Sequence, residues 1–96
     1  MVVHKLFHTD TAPHGKRTQP SPLSYRLIFA KNIRQVRRFK EMSQEELAHL
    51  ANISRVYLGE VERGERNITI DVMEKIASAL EIPLEQLLQP NLTKIG

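Results

Sequence analysis

No cysteine occurs anywhere in the chain, which excludes disulfides and thiolate zinc sites. That fits a reducing, cytoplasmic compartment. Long apolar runs are missing too. The longest, Leu27–Ala30, is far too short to span a bilayer. The first residues contain no continuous apolar stretch of the kind a signal peptide needs, so no export is expected. Only four glycines are present, scattered rather than grouped into a phosphate-binding loop. There is no H-E-x-x-H and no acid pair on a recognisable scaffold, so the sequence points away from an enzyme and from any cofactor. His4 and His8 stand four residues apart and His14 lies further on. A metal ion would need third and fourth ligands, and no metal site is expected.

What is present is an uneven charge. Residues 1–40 hold nine Lys/Arg and one Asp, a net of +8, while residues 41–96 hold five Lys/Arg and ten Asp/Glu, a net of −5. A basic half suits a polyanion partner through phosphate neutralisation and counterion release; a solvated basic helix and tail is the bland alternative. Ninety-six residues make one small domain, whose core dimerisation could enlarge.

Residues 1–22 show no sustained period and are broken by Pro13, Gly15, Pro20 and Pro22. They are expected to form a flexible arm, with Lys5, Lys16 and Arg17 available to trail along phosphates. From Ser24 to about Lys40, Phe29, Ile33 and Val36 recur at helical spacing and define a core face. Leu23, Tyr25 and Phe39 widen the apolar surface, while Lys31, Arg34, Arg38 and Lys40 lie on other faces. Later, Ile68, Ile70, Met73, Ile76, Ala77 and Leu80 describe another helix with Thr69 as its N-cap. Residues 82–89 make a short last helix, with Pro83 in its first turn and Pro90 stopping it. The expected organisation is an arm over 1–22, a domain over 23–90 and a frayed tail over 91–96.

The central stretch is Ser43 to Gly64, SQEELAHLANISRVYLGEVERG. Ser43 and Glu46 form an S-x-x-E capping box. Leu47, Ala48 and Ala51 give a helical apolar stripe, with Ala48 small enough for close helix packing. Asn52 stands where a tight turn needs positive φ. Ile53 plugs the core, and Ser54 caps a second helix with Leu58 and Val61 inside. Gly64 ends it. The joint register of Gln44, Leu47, Ala48, Ile53, Leu58, Val61, Glu62 and Gly64 resembles the helix-turn-helix of the phage-repressor and Xre-like DNA-binding regulators. The resemblance covers roughly residues 29 to 88. Ser54 to Ile70 looks especially like the controller proteins of restriction–modification systems. The family usually has glycine where Glu41 stands, so a left-handed glutamate or a different helix ending is expected there.

In helix-turn-helix proteins the second helix enters the major groove by its N-terminal residues. Base reading is therefore expected from Arg55, Val56, Gly59 and Glu60. Arg55 suits guanine O6 and N7. Val56 either meets a thymine methyl or is a lone surface valine. Glu60 either accepts from cytosine N4 or orients Arg55. Gly59 is explained by close approach to DNA or by packing against the preceding helix. Phosphate donors are expected in Gln44, Ser54, Tyr57, Arg63, Arg66 and Asn67. The resemblance implies that Gln44 clamps a phosphate, and Tyr57 could instead pack on the first helix. The resemblance also pairs Arg37 with Glu62, tying two helices together while leaving Arg37 donors for a phosphate.

These observations together predict an all-α, five-helix phage-repressor-like domain. Its expected function is that of a sequence-specific transcriptional regulator, a homodimer on double-stranded DNA with a near-palindromic operator. Leu84 and Leu88 are assigned to the dimer interface and Leu87 to the core. RNA polymerase is a possible further contact. The alternatives are a DNA-binding antitoxin that also grips a toxin, and a protein-binding adaptor on the same fold.

Overall fold

The structure, a computed structural model, describes residues 24–92. The arm over 1–22 with its histidines and Lys16–Arg17, Leu23, and the tail beyond Leu92 lie outside the described residues. Five helices follow one another: α1 (Tyr25–Phe39), α2 (Gln44–Ala51), α3 (Arg55–Glu62), α4 (Ile70–Leu80) and α5 (Leu84–Leu87). Among the described residues all regular structure is helical, and no helix is long and apolar enough to cross a membrane.

Four of the five helices start where a side chain satisfies an orphan backbone N–H. Ser24, Ser43, Ser54 and Thr69 accept from Leu27, Glu46, Tyr57 and Val72 respectively. At α2 the box closes both ways, the Ser43 N–H donating to Glu46 Oε1 at 2.8 Å. Pro83 precedes α5 as its N-cap rather than sitting in the first turn, and makes no side-chain cap bond. The helix ends are more strained. Glu41, Asn52 and Glu81 all adopt left-handed φ, at 55°, 62° and 60°. The glutamate at 41 therefore takes the conformation that glycine would occupy more cheaply. Gly64 also has positive φ, 75°, and a Cβ there would collide with the Leu27 side chain. The left-handed φ is what favours glycine at that turn, since the exposed Leu27 side chain can move aside.

Phe29, Ile33, Val36, Leu47, Leu58, Ile76, Leu80 and Leu87 form the fully buried centre. Met42, Ile53, Tyr57 and Ile68 pack around it. Two expectations are corrected, and one residue without an expectation proves central. Ile70 is 62% exposed at the first position of α4; Ile68, ahead of the cap, and Val72 supply apolar packing at this end instead. Residue 91 is not where fraying begins. Leu92 is buried in the core, and its carbonyl accepts from Gln35 Nε2 at 3.2 Å. Asn32, passed over in the sequence, is fully buried. Its Nδ2 donates to the Leu87 and Gln89 carbonyls, both at 2.8 Å, tying the end of α5 to the middle of α1.

The other buried polar residue is Glu62, at the end of α3. Arg37 of α1 grips it with two prongs, Nε to Oε2 at 2.7 Å and Nη2 to Oε1 at 3.0 Å. Arg37 Nη1 donates to the Met42 carbonyl at 3.0 Å, and Arg34 donates to the Glu62 carbonyl. The Arg37 side chain is 11% exposed, and three of its five N–H donors are engaged in these bonds. The residue is a structural tie. Removing one partner from a buried pair leaves an uncompensated charge, which costs about 3–5 kcal/mol. Glu62→Ala and Arg37→Ala should each lose about that much in urea unfolding. The double change Arg37→Met with Glu62→Leu should lose much less than the sum of the two. Equal and additive small losses would show a solvated pair.

Candidate nucleic-acid interface

The tight turn between α2 and α3 is set by local chemistry. Asn52, left-handed, reverses the chain while its N–H and that of Ile53 close onto the His49 and Ala48 carbonyls at 3.1 and 3.0 Å. Ser54 then starts α3 at once. The inner side of α3 buries Leu58 and Val61, so its N-terminal residues are turned to solvent. Arg55 is exposed and Val56 is 63% exposed. The outward end of α3 thus pairs a five-donor guanidinium with an apolar side chain, which is a combination able to distinguish base edges.

Gln44 begins α2 beside this end. Its Nε2 donates to Glu62 Oε1 at 2.9 Å, and its Oε1 accepts from Arg55 Nη1 at 3.4 Å. Gln44 is therefore a link between the buried carboxylate and Arg55. Of the two roles offered for Glu60, orienting Arg55 is not the contact observed. Glu60 Oε1 instead accepts from Arg66 Nε at 2.7 Å, one turn beyond the end of α3. Gly59 is also corrected: it is buried, so it presents little surface to a base edge. Among the described residues, and apart from its chain neighbours and the backbone of its own helix, Arg63 Nη1 at 3.4 Å is the atom within 4 Å of where its Cβ would stand, so crowding by α2 does not explain it either. Gly59 lies beneath the Arg63 side chain.

The cations beyond α3 form a second group. Arg66 lies over the Tyr57 ring, 5.2 Å from its centroid, while Tyr57 also packs against the core. Of the two roles expected for Tyr57, the geometry carries packing, and the same ring also supports a guanidinium. Arg63 pairs with Glu65 at 3.1 Å, both well exposed. The side-chain hydrogen bond to Glu65, and then its charge, raise the pKa of Arg63; Glu60 does the same for Arg66. An arginine is effectively always protonated, so both are cationic. Asn67 Oδ1 accepts from Arg26 Nη1 at 2.8 Å. Arg26 was not among the residues expected from sequence. Its position on the polar side of the first turn of α1 was a faint signal, and its proximity to residue 67 depends on the folded chain.

The site therefore has a centre at Arg55, Val56 and Gln44, and a cationic flank at Arg66, Arg63 and Arg26 with Tyr57 and Asn67. Ser54 is exposed, but its hydroxyl is engaged by the Tyr57 N–H. Among the described residues no cluster of His, Asp or Glu could hold a metal ion.

A profile described as helix-turn-helix fits residues 33–87. The control protein C.BamHI of Bacillus amyloliquefaciens is 43% identical over 72 residues, covering 74% of this chain and 86% of that protein. The crystal structure of the restriction–modification controller protein C.AhdI from Aeromonas hydrophila superposes with a TM-score of 0.62 at 40% identity, over 65% of this chain and 94% of that one. A hypothetical transcription factor from Neisseria gives a TM-score of 0.67 at 40% identity, over 78% of this chain and 91% of that one. These relatives are regulators rather than enzymes. On the helix-turn-helix match and on identities of this size, the chain belongs to the helix-turn-helix family of DNA-binding regulators, alongside the restriction–modification control proteins.

Proposed function

We propose that this chain is a homodimeric, sequence-specific transcriptional regulator of the controller kind. It acts by occupying a near-palindromic operator in double-stranded DNA. Two copies of α3 lie in successive major grooves, about one helical turn (roughly 34 Å) apart. A dimer over a promoter excludes polymerase, and one seated upstream stands beside it. The observation that carries this reading is the exposed pair Arg55 and Val56 at the start of α3, inside the helix-turn-helix match. Arg66, Arg63, Arg26 and Asn67 supply donors for the flanking phosphates. Arg66 and Arg63 exchange an exposed carboxylate for a phosphate at little cost, since surface pairs contribute only about 0–1 kcal/mol.

The two-fold contact is assigned to α5. Leu87 is fully buried, whereas Leu84 and Leu88 are half-buried, each keeping part of its surface outside the core. A two-fold partner suits such a surface because closed dimers dominate soluble oligomers and match palindromic DNA.

Selection of bound sequences from random DNA tests the reading. Arg55→Ala should cost ~1–3 kcal/mol on the selected site and relax preference at one base pair per half-site. Arg63→Ala and Arg66→Ala should weaken all sequences alike, each lowering the slope of log affinity against log salt by about 1. Altered base preference with an unchanged slope would exchange the two roles.

Sedimentation tests the dimer. Burying a leucine contributes roughly 1.5–3 kcal/mol, and two-fold symmetry repeats each contact. Leu84→Glu and Leu88→Glu should give helical monomers with much weaker operator binding, whereas Leu87→Glu should unfold the end of the domain. A wild-type chain that stays monomeric at high micromolar concentration, free and on DNA, is incompatible with the assignment.

A further inference from the structure

A carboxylate only accepts hydrogen bonds, and a guanidinium only donates them. Gln44 lies between one of each. The Glu62 carboxylate, buried and already held by Arg37, faces Gln44 Nε2 at 2.9 Å. Arg55 Nη1 faces Gln44 Oε1 at 3.4 Å. Turning the amide over would set oxygen against the carboxylate and NH2 against the guanidinium, so both contacts would become repulsive. The two charges therefore select one amide orientation, which Gln44 could not fix for itself on an open surface.

We infer that Glu62 is a positioning residue for base recognition: acting through Gln44, it holds the Arg55 guanidinium at the start of α3 in its reading pose. Arg37, Glu62, Gln44 and Arg55 form a continuous line from the core to the outward end of the helix. Glu62 never reaches DNA. Its contribution is to keep the Gln44 oxygen outward, so that one guanidinium nitrogen is occupied and the fork is restricted before a base arrives. A restricted fork discriminates between base edges better than a freely rotating one, because the wrong base cannot be met by a second rotamer. This role differs from a phosphate clamp at Gln44, which would change affinity without changing preference.

The inference rests on Arg55 as a base reader, and the experiment separates the two. The binding-site selection is repeated with Gln44→Met, which keeps the length of the side chain and removes both hydrogen bonds. Gln44 is half-exposed, so folding should survive. Preference at the base pair that Arg55→Ala relaxes should fall by roughly fivefold, with other positions unchanged. In the Arg55→Ala background, adding Gln44→Met should leave the profile as it is. If Arg55→Ala relaxes a position and Gln44→Met does not, the relay is overturned and base reading stands. If Arg55→Ala relaxes nothing, base reading and the relay both fall. The part played by Glu62 is read in the wild-type chain by NMR. One of the two Gln44 Nε2 protons, the one on the buried carboxylate, should exchange with water much more slowly than the other. Equally fast exchange of both would remove Glu62 from the line.

Discussion

A carboxylate placed almost wholly inside a small protein must be matched or the fold does not tolerate it. Glu62 is such a group, and its matching organises one end of the molecule. Arg37 comes from α1, Gln44 from the start of α2, and Glu62 itself ends α3. Three helices are thus brought to one point by a charge that none of them could bury alone. Apolar contacts would also hold these helices together, but they are non-directional. The two-pronged ion pair adds a geometric requirement, fixing how far α3 turns about its axis and hence which of its residues face outward.

The opposite side of α1 carries a neutral version of the same device. Asn32 and Gln35 donate to carbonyls of residues 87, 89 and 92. These groups lie at and beyond a helix of four residues, too short to hold itself in water. The amide of Asn32 satisfies two orphan carbonyls at once. α1 is therefore the common reference for both the recognition end and the C-terminal end, through side chains on one continuous helix. If dimer contact is made at α5, the spacing of two recognition helices depends on this one element.

Much of this was legible in the sequence because it is local. The caps at Ser43, Ser54 and Thr69, the turn at Asn52 and the stop at Gly64 depend on residues three or four apart. The buried stripes follow from helical period, and at Glu41 the structure takes the left-handed one of the two endings that the resemblance left open. What could not be read depends on distant neighbours. Nothing near Asn32 announces that carbonyls 55 and 57 residues away will need its amide. Leu92 stands two residues after Pro90 and looks like a tail until Gln35 is seen beside it. Glu60 is one turn from Arg55, which suggested a pair, but the chain beyond Gly64 returns Arg66 to it. The period extended to Ile70 because apolar spacing does not record where the neighbouring helices end.

The left-handed glutamates have a mechanical meaning. Glu41 joins α1 to α2, and Glu81 joins α4 to α5. Glycine would remove roughly 1 kcal/mol of strain at such a joint. It would also give the unfolded chain more freedom to lose, an opposing effect of about 0.4–1 kcal/mol. The two choices are therefore nearly level in free energy and differ mainly in compliance. A joint made from a residue with a side chain has fewer neighbouring conformations to sample than one made from glycine. At positions 41 and 81 the sequence favours stiff elbows over supple ones. If the chain docks on a duplex as proposed, any adjustment to its curvature must then come from outside these two joints.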